Sequence, residues 1–227
     1  MKKNILILAA HPDDEVLGCG GAIAKYVNQG HFVHVAFLAD GIYSRGGDKD
    51  KLDMELCKRR DAARAALGVL GVESVSFNDF PDNYMDTIAT LEVAKVVEAL
   101  ISKHKPETII THHFGDVNVD HRKVHEATVV ACRSQPENCV KCVLCFEVAS
   151  STEWQFANTG KNFSPNFFVD ISEFLSKKTQ SLSKYDLEMR DWPHPRSIQA
   201  VEHLARWRGA IIGVDAAEAF TVGRIIE

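Results

Sequence analysis

The chain has 227 residues, 45% hydrophobic and 25% charged, with a formal net charge of -5. That length and composition suit one domain over residues 1–227 and exclude a disordered polymer. Lys and Arg are dispersed, which argues against nucleic acid or an anionic membrane surface as partner.

The N-terminal "MKKNILILAA" runs into "HPDDE" without a cleavage-like site, and no apolar run approaches the roughly 20 residues of a membrane span. The cytoplasm is the expected location, and self-association into a homo-oligomer is left open. Asn4 to Ala10 reads as a buried strand, Val16 to Gln29 as a helix ending at Gly30, and Phe32 to Leu38 as a second strand. After the loop "ADGIYSRGGDKDK" come a helix from about Asp53 to Leu70, the short strand "SVSF", a helix from about Leu91 to Lys103, and the strand "PETIITHH". Asp120 to Cys132 has helical spacing, and Cys142 to Val148 and Phe167 to Ile171 read as strands. Ser172 to Met189 and Ile198 to Ile212 read as helices interrupted by "WPHPRS". Two-sided apolar strands alternating with helices predict an α/β fold, a Rossmann-like three-layer α/β/α sandwich with a mostly parallel sheet.

In such sheets ligands bind beyond the carboxyl ends of the strands. That rule selects the loops "HPDDE", "ADGIYSRGGD", "NDFPDNYMD" and "HHFGDVNVDH". In the first, Pro12 biases His11 toward an extended backbone. Asp13 or Asp14 suits helix capping and Glu15 suits the helix dipole, but capping leaves His11 unexplained. A dinucleotide fingerprint needs glycines directly after the strand. Here that turn holds carboxylates, so Gly18, Gly20 and Gly21 are expected to allow close helix packing instead. The segment "THHFGDVNVDHR" concentrates His112, His113, Asp116, Asn118, Asp120 and His121 at a strand exit. His104 or His125 alone reads as an ordinary imidazole. Catalytic zinc sites take three protein ligands plus water, and His11, Asp14 and His121 supply such a set; Fe²⁺ suits the same ligands. The run "CVKCVLC", with Cys139, Cys142 and Cys145, lies on a predicted strand where residues three apart face opposite sides. Buried reduced thiols are therefore expected rather than a metal clip.

"AAHPDDEVLGCGG" together with "NVDHRKVHEA" resembles the PIG-L/LmbE-like family of zinc-dependent N-deacetylases, with support from "RRDAARAALGVLGV", "FPDNYMD" and "ARWRGAIIGVDAAEAF". The resemblance implies His11, Asp14 and His121 as metal ligands and Asp13 as general base. Many relatives place a histidine three residues before the last ligand, to stabilise the oxyanion. This chain has Asn118 there, and Asn118, His113 or His194 is left to fill the role. Arg45, Arg59, Asp82 and Asp86 flank the predicted face, and such side chains suit sugar hydroxyls. His194 and Arg196, in "DWPHPRS", form a candidate lid or rim.

The implied reaction is removal of the acetyl group from an N-acetylated amino sugar of GlcNAc type, a small-molecule substrate. A metal-dependent hydratase or a non-sugar amidase is the rival using the same residues. A nucleotide-binding module is the rival of another class, and the missing glycine turn counts against it.

Overall fold

The first strand, β1 (Asn4–Ala9), is apolar throughout because it is buried on both faces. Ile5, Ile7 and Ala9 join one apolar cluster, and Leu6 and Leu8 the other. The computed structural model describes residues 2–134, 140–156 and 159–227, apart from the side chain of Arg45. Within them β1 is joined by β2 (Phe32–Ala39), β3 (Ser74–Phe80), β4 (Thr108–His112), β5 (Cys142–Phe146), β6 (Phe167–Asp170) and β7 (Ala217–Ile225). The sheet order is β3-β2-β1-β4-β5-β7-β6. β7 pairs antiparallel with β5 and β6, and the other pairings are parallel. Helices α1 (Asp14–Asn28), α2 (Lys49–Leu70), α5 (Leu175–Leu182) and α6 (Ile198–Ile212) pack on one face. Helices α3 (Thr90–His104) and α4 (Val119–Ala131) pack on the other. The three-layer sandwich read from the sequence is the observed architecture.

The chain runs outward from β1 to β2 and β3, then returns to place β4 on the other side of β1. That reversal makes the carboxyl ends of β1 and β4 the topological switch point, the place where such sheets open a crevice. Both histidine-bearing strand tips meet there.

The glycines of α1 pack closely, as expected. A methyl at Gly18 would overlap the Phe146 ring, and one at Gly21 would lie 2.7 Å from Ile171 Cδ1. The helix is also broken between them, at Cys19 (φ -148°, ψ 25°). A break frees backbone groups that burial makes costly to leave unpaired. Lys178 Nζ donates to Leu17 O at 2.8 Å, and the Gly21 and Ala22 N–H groups donate to Glu218 at 2.9 and 2.7 Å. Lys178 and Glu218 pair with each other at 2.6 Å, both buried. Two residues from the C-terminal half thus cap a break in the first helix.

Three differences from the sequence expectations have local causes. The helix expected over Ser172 to Met189 shortens to Leu175–Leu182, because beyond it the chain turns to bring Tyr185 to Glu15 and Glu188 to Arg59. β7 was not anticipated after Ile212, since its charged Glu218 and Arg224 blur the apolar pattern of a central strand. α2 starts earlier than Asp53, where Asp48 accepts from the Asp50 and Lys51 N–H groups. Cys142 and Cys145 sit on β5 as free thiols, and Cys139 lies outside the described residues. No helix of the described residues is long and apolar enough to cross a membrane.

Candidate metal centre

Asp13 occupies the N-cap position of α1, yet its carboxylate makes no capping bond. Its backbone is held at φ 125°, ψ -32°, a conformation that costs a non-glycine residue of order 1–3 kcal/mol and persists only where the surroundings enforce it. The turn is fixed from the next residue, since Asp14 Oδ2 accepts from the His11 N–H at 2.8 Å. The same oxygen lies 3.4 Å from His11 Nδ1 and 3.2 Å from His121 Nε2. These three side chains are buried and offer ligand atoms within 4.8 Å of one another. Asp14 Oδ1 and His121 Nε2 have no hydrogen-bond partner. Buried polar atoms without partners cost free energy, and two of them on side chains of this one cluster fit a divalent cation. Two imidazoles and a carboxylate are also a donor set that zinc accepts.

Each imidazole is oriented by a carboxylate behind it, the arrangement usual for metal-binding histidines. His121 Nδ1 lies 3.2 Å from Asp116 Oδ2, and Asp116 also accepts from Ser151, Thr152 and the Asn118 N–H. His11 Nε2 lies 2.9 Å from Asp120 Oδ2 and 3.1 Å from Asp82 Oδ1. His11, Asp82 and Asp120 form a second close group. However, the Asp120 oxygens already accept from the Asn83 and Met85 N–H groups at 2.6 and 3.0 Å, so Asp120 serves as a support for His11.

The electrostatics favour a cation at this point. Burial opposes a charge on His121, but Asp14 and Asp116 overcome it and push the imidazole up to about 9. Burial likewise opposes charge on His11, and Asp120, Asp14 and Asp82 raise it well above its ordinary value. Asp14 is held well below the carboxylate range, with His121 and His11 outweighing burial. Burial would raise Asp82, yet His11, Ser44 and Arg59 bring it down to about 2.

Around Asp13 the neighbours come from distant parts of the chain. Arg196 Nη1 donates to Asp13 Oδ2 at 2.9 Å. Arg59 Nη1 donates to Gly41 O at 2.9 Å and to Glu188 at 2.7 Å, while its Nη2 donates to Pro12 O at 3.1 Å. The Asp13 N–H donates to Glu15 Oε2 at 3.0 Å, and Tyr185 donates to Glu15 Oε1 at 2.6 Å. Burial pushes Glu15 up to about 8 despite these bonds. It also raises Asp13, with Arg196 as the main opposing influence.

His11, Asp13, Asp14, Asp82, His121, Arg59 and Arg196 are therefore brought together, and other candidates are not. Asn118 is the N-cap of α4: its Oδ1 accepts from the Asp120 and His121 N–H groups at 2.8 and 3.4 Å, and its Nδ2 donates to Asn83. His113 Nε2 donates to Lys161 O at 3.0 Å and its ring packs against Phe163. Asp86 is exposed on a short 3₁₀ turn, Met85–Thr87. His194 accepts from the Arg196 N–H and lies edge-on to Trp154. The Arg45 side chain lies outside the described residues. Asp116 and Asp120, noted in the sequence only as part of the ligand-rich segment, stand behind the two imidazoles. Tyr185 and Glu188 carried no sequence signal.

The model of the family described as "PIG-L: GlcNAc-PI de-N-acetylase" matches residues 6–132. "Uncharacterized deacetylase YaiS" of Escherichia coli (strain K12) is 28% identical over 193 residues, covering 81% of this chain and 91% of that protein. Diacetylchitobiose deacetylase of Thermococcus kodakarensis is 26% identical over 191 residues, covering 81% and 69%. A 4-oxalmesaconate hydratase of Pseudomonas putida is 33% identical over 145 residues, covering 57% and 53%. The structure of N,N'-diacetylchitobiose deacetylase from Pyrococcus horikoshii has the same fold. It aligns with a TM-score of 0.79 at 20% identity, over 97% of this chain and 83% of that one.

Proposed function

The chain belongs to the PIG-L (GlcNAc-PI de-N-acetylase) family, and on that premise we propose that it is a zinc-dependent hydrolase that removes the acetyl group from an N-acetylated amino sugar. The observation that carries this reading is the buried His11, Asp14 and His121 set with Asp13 beside it, uncommitted to capping. His11, Asp14 and His121 would hold the ion. A divalent ion in such a set lowers the pKa of water and polarises an amide carbonyl.

The remaining work falls to the chain's own residues. Asp13 accepts the proton of the attacking water and returns it to the leaving amine, the two halves of general acid–base catalysis. Asp116 and Asp120 hold the two imidazoles in one orientation. Carboxylates (Asp13, Asp14, Asp82, Asp116, Asp120 and Glu188) outnumber the arginines Arg59 and Arg196 around the site. That balance suits a neutral amide whose product is an ammonium group, and disfavours a polyanionic substrate.

The diacetylchitobiose deacetylase relative supports an amino-sugar substrate. The 33% identity to a hydratase supports a second reading, addition of water to an unsaturated acid at the same residues. Incubating the zinc-loaded protein with N-acetylglucosamine derivatives and quantifying acetate and free amine separates the two. Acetate release abolished by a chelator supports the deacetylase. No release from any N-acetyl sugar, with turnover of an unsaturated acid, overturns it.

A further inference from the structure

Resting on the deacetylase reading, we infer that Arg196 is a positioning residue for the Asp13 base, carried by the strap 192–197 between the two C-terminal helices. The strap lies outside residues 6–132, the segment that matches the family and supplies the metal ligands.

The two oxygens of Asp13 differ. Oδ2 accepts from Arg196 Nη1 at 2.9 Å, whereas Oδ1 is buried without a hydrogen-bond partner and lies 3.8 Å from Arg59 Nη2. A carboxylate pinned at one oxygen presents the other in a fixed direction, which is the requirement for a base that takes a proton from water. Arg59 does not pin Asp13 in the same way: it comes no nearer than 3.8 Å, with its Nη1 turned to Gly41 O and Glu188 and its Nη2 to Pro12 O.

Arg196 is itself held in advance. Its Nε donates to Ser150 Oγ at 2.5 Å, in the loop after β5, and its backbone N–H donates to His194 Nδ1 at 3.1 Å. Pro193 and Pro195 restrict the strap backbone, and Ser197 anchors its end by capping α6 through the Ala200 N–H. The guanidinium therefore joins three elements, the β1 exit, the β5 exit and the strap, at the oxygen of the base.

The test compares wild type with Arg196→Gln, Arg196→Lys and Ser150→Ala, all zinc-loaded. The measurements are kcat, KM, zinc affinity, thermal denaturation and rescue by methylguanidinium. Expected for Arg196→Gln is a fall in kcat of about a hundredfold, the scale of a misplaced catalytic group, with KM and zinc affinity little changed and a lower melting temperature, because Asp13 stays buried without its partner. Methylguanidinium restores part of that rate and does nothing for wild type. Arg196→Lys falls between, and Ser150→Ala loses less. A rise in KM alone, an unchanged kcat, or a loss that follows melting temperature without rescue overturns the inference. A wild type that releases no acetate overturns the deacetylase reading and this one with it, whereas an active wild type with an equally active Arg196→Gln overturns this one alone.

Discussion

Asp116 Oδ2 stands 3.2 Å behind His121 Nδ1, so the imidazole turns its Nε2 toward Asp14 and His11. Removing such a partner of a metal-binding histidine typically weakens metal affinity about 10–100-fold. Asp116→Asn keeps the shape and loses the charge. Zinc affinity measured by competition with a chelating dye is expected to fall within that range, and an unchanged affinity would show that Asp116 serves packing alone.

The pH dependence has two opposite signs. A histidine held at about 9 in the folded chain, against about 6.5 unfolded, contributes stability that is complete below pH 6.5 and is lost as pH rises through 9. The ion-free protein is therefore expected to melt at progressively lower temperature from pH 6.5 to 9. Zinc binding requires the same imidazole deprotonated, so the increment in melting temperature from added zinc grows over that interval. Scanning calorimetry with and without zinc reads both. A zinc increment that shrinks with rising pH contradicts the assignment of His121 as a ligand.

Asp13 is held at positive φ, where glycine is unstrained. Asp13→Gly and Asp13→Ala both remove the base and its pair with Arg196, but only the alanine keeps the backbone strain. Both are expected to lose acetate release. Asp13→Gly should be more stable than Asp13→Ala by about 1–3 kcal/mol, as read by urea denaturation. Equal stabilities would mean that the turn relaxes without cost.

Asn118 caps α4 and so sets where His121 points. Replacing such a cap by alanine costs about 1 kcal/mol. Asn118→Ala is expected to lose that stability together with some zinc affinity, and Asn118→Ser, which keeps a capping oxygen, to recover both. Failure of serine to restore zinc affinity would return Asn118 to the list of groups acting directly in the site.

The clustering of His11, Asp14 and His121 was legible because these residues sit at strand exits: His11 after a run apolar on both faces, and His121 within a loop too rich in acids for a simple connection. The base role of Asp13 came only with the family resemblance, since the residues alone left Asp13 or Asp14 as the helix cap. The surroundings of Asp13 were not legible. Tyr185 reaches Glu15 across 170 residues, and Arg196 reaches Asp13 across 183, and no local pattern encodes a contact at that separation. Asn118 shows the reverse: its place in a motif suggested chemistry, while its position ahead of a helix gave it a capping role. β7 went unread because one of its buried positions is Glu218, a charge that looks wrong for a strand until the break in α1 is known.

That break makes the N-terminal half inseparable from the rest. A fragment ending at residue 132 would carry both motifs and all three proposed metal ligands, yet it would lack Lys178 and Glu218. The Leu17 carbonyl and the Gly21 and Ala22 amides would then lose their partners together with Phe146 and Ile171, the side chains that cover this stretch of the helix, and the break would open to water. Complementation of two polypeptides divided near that point thus becomes an assay for the helix: the first piece acquires its full helical signal only when the second is added.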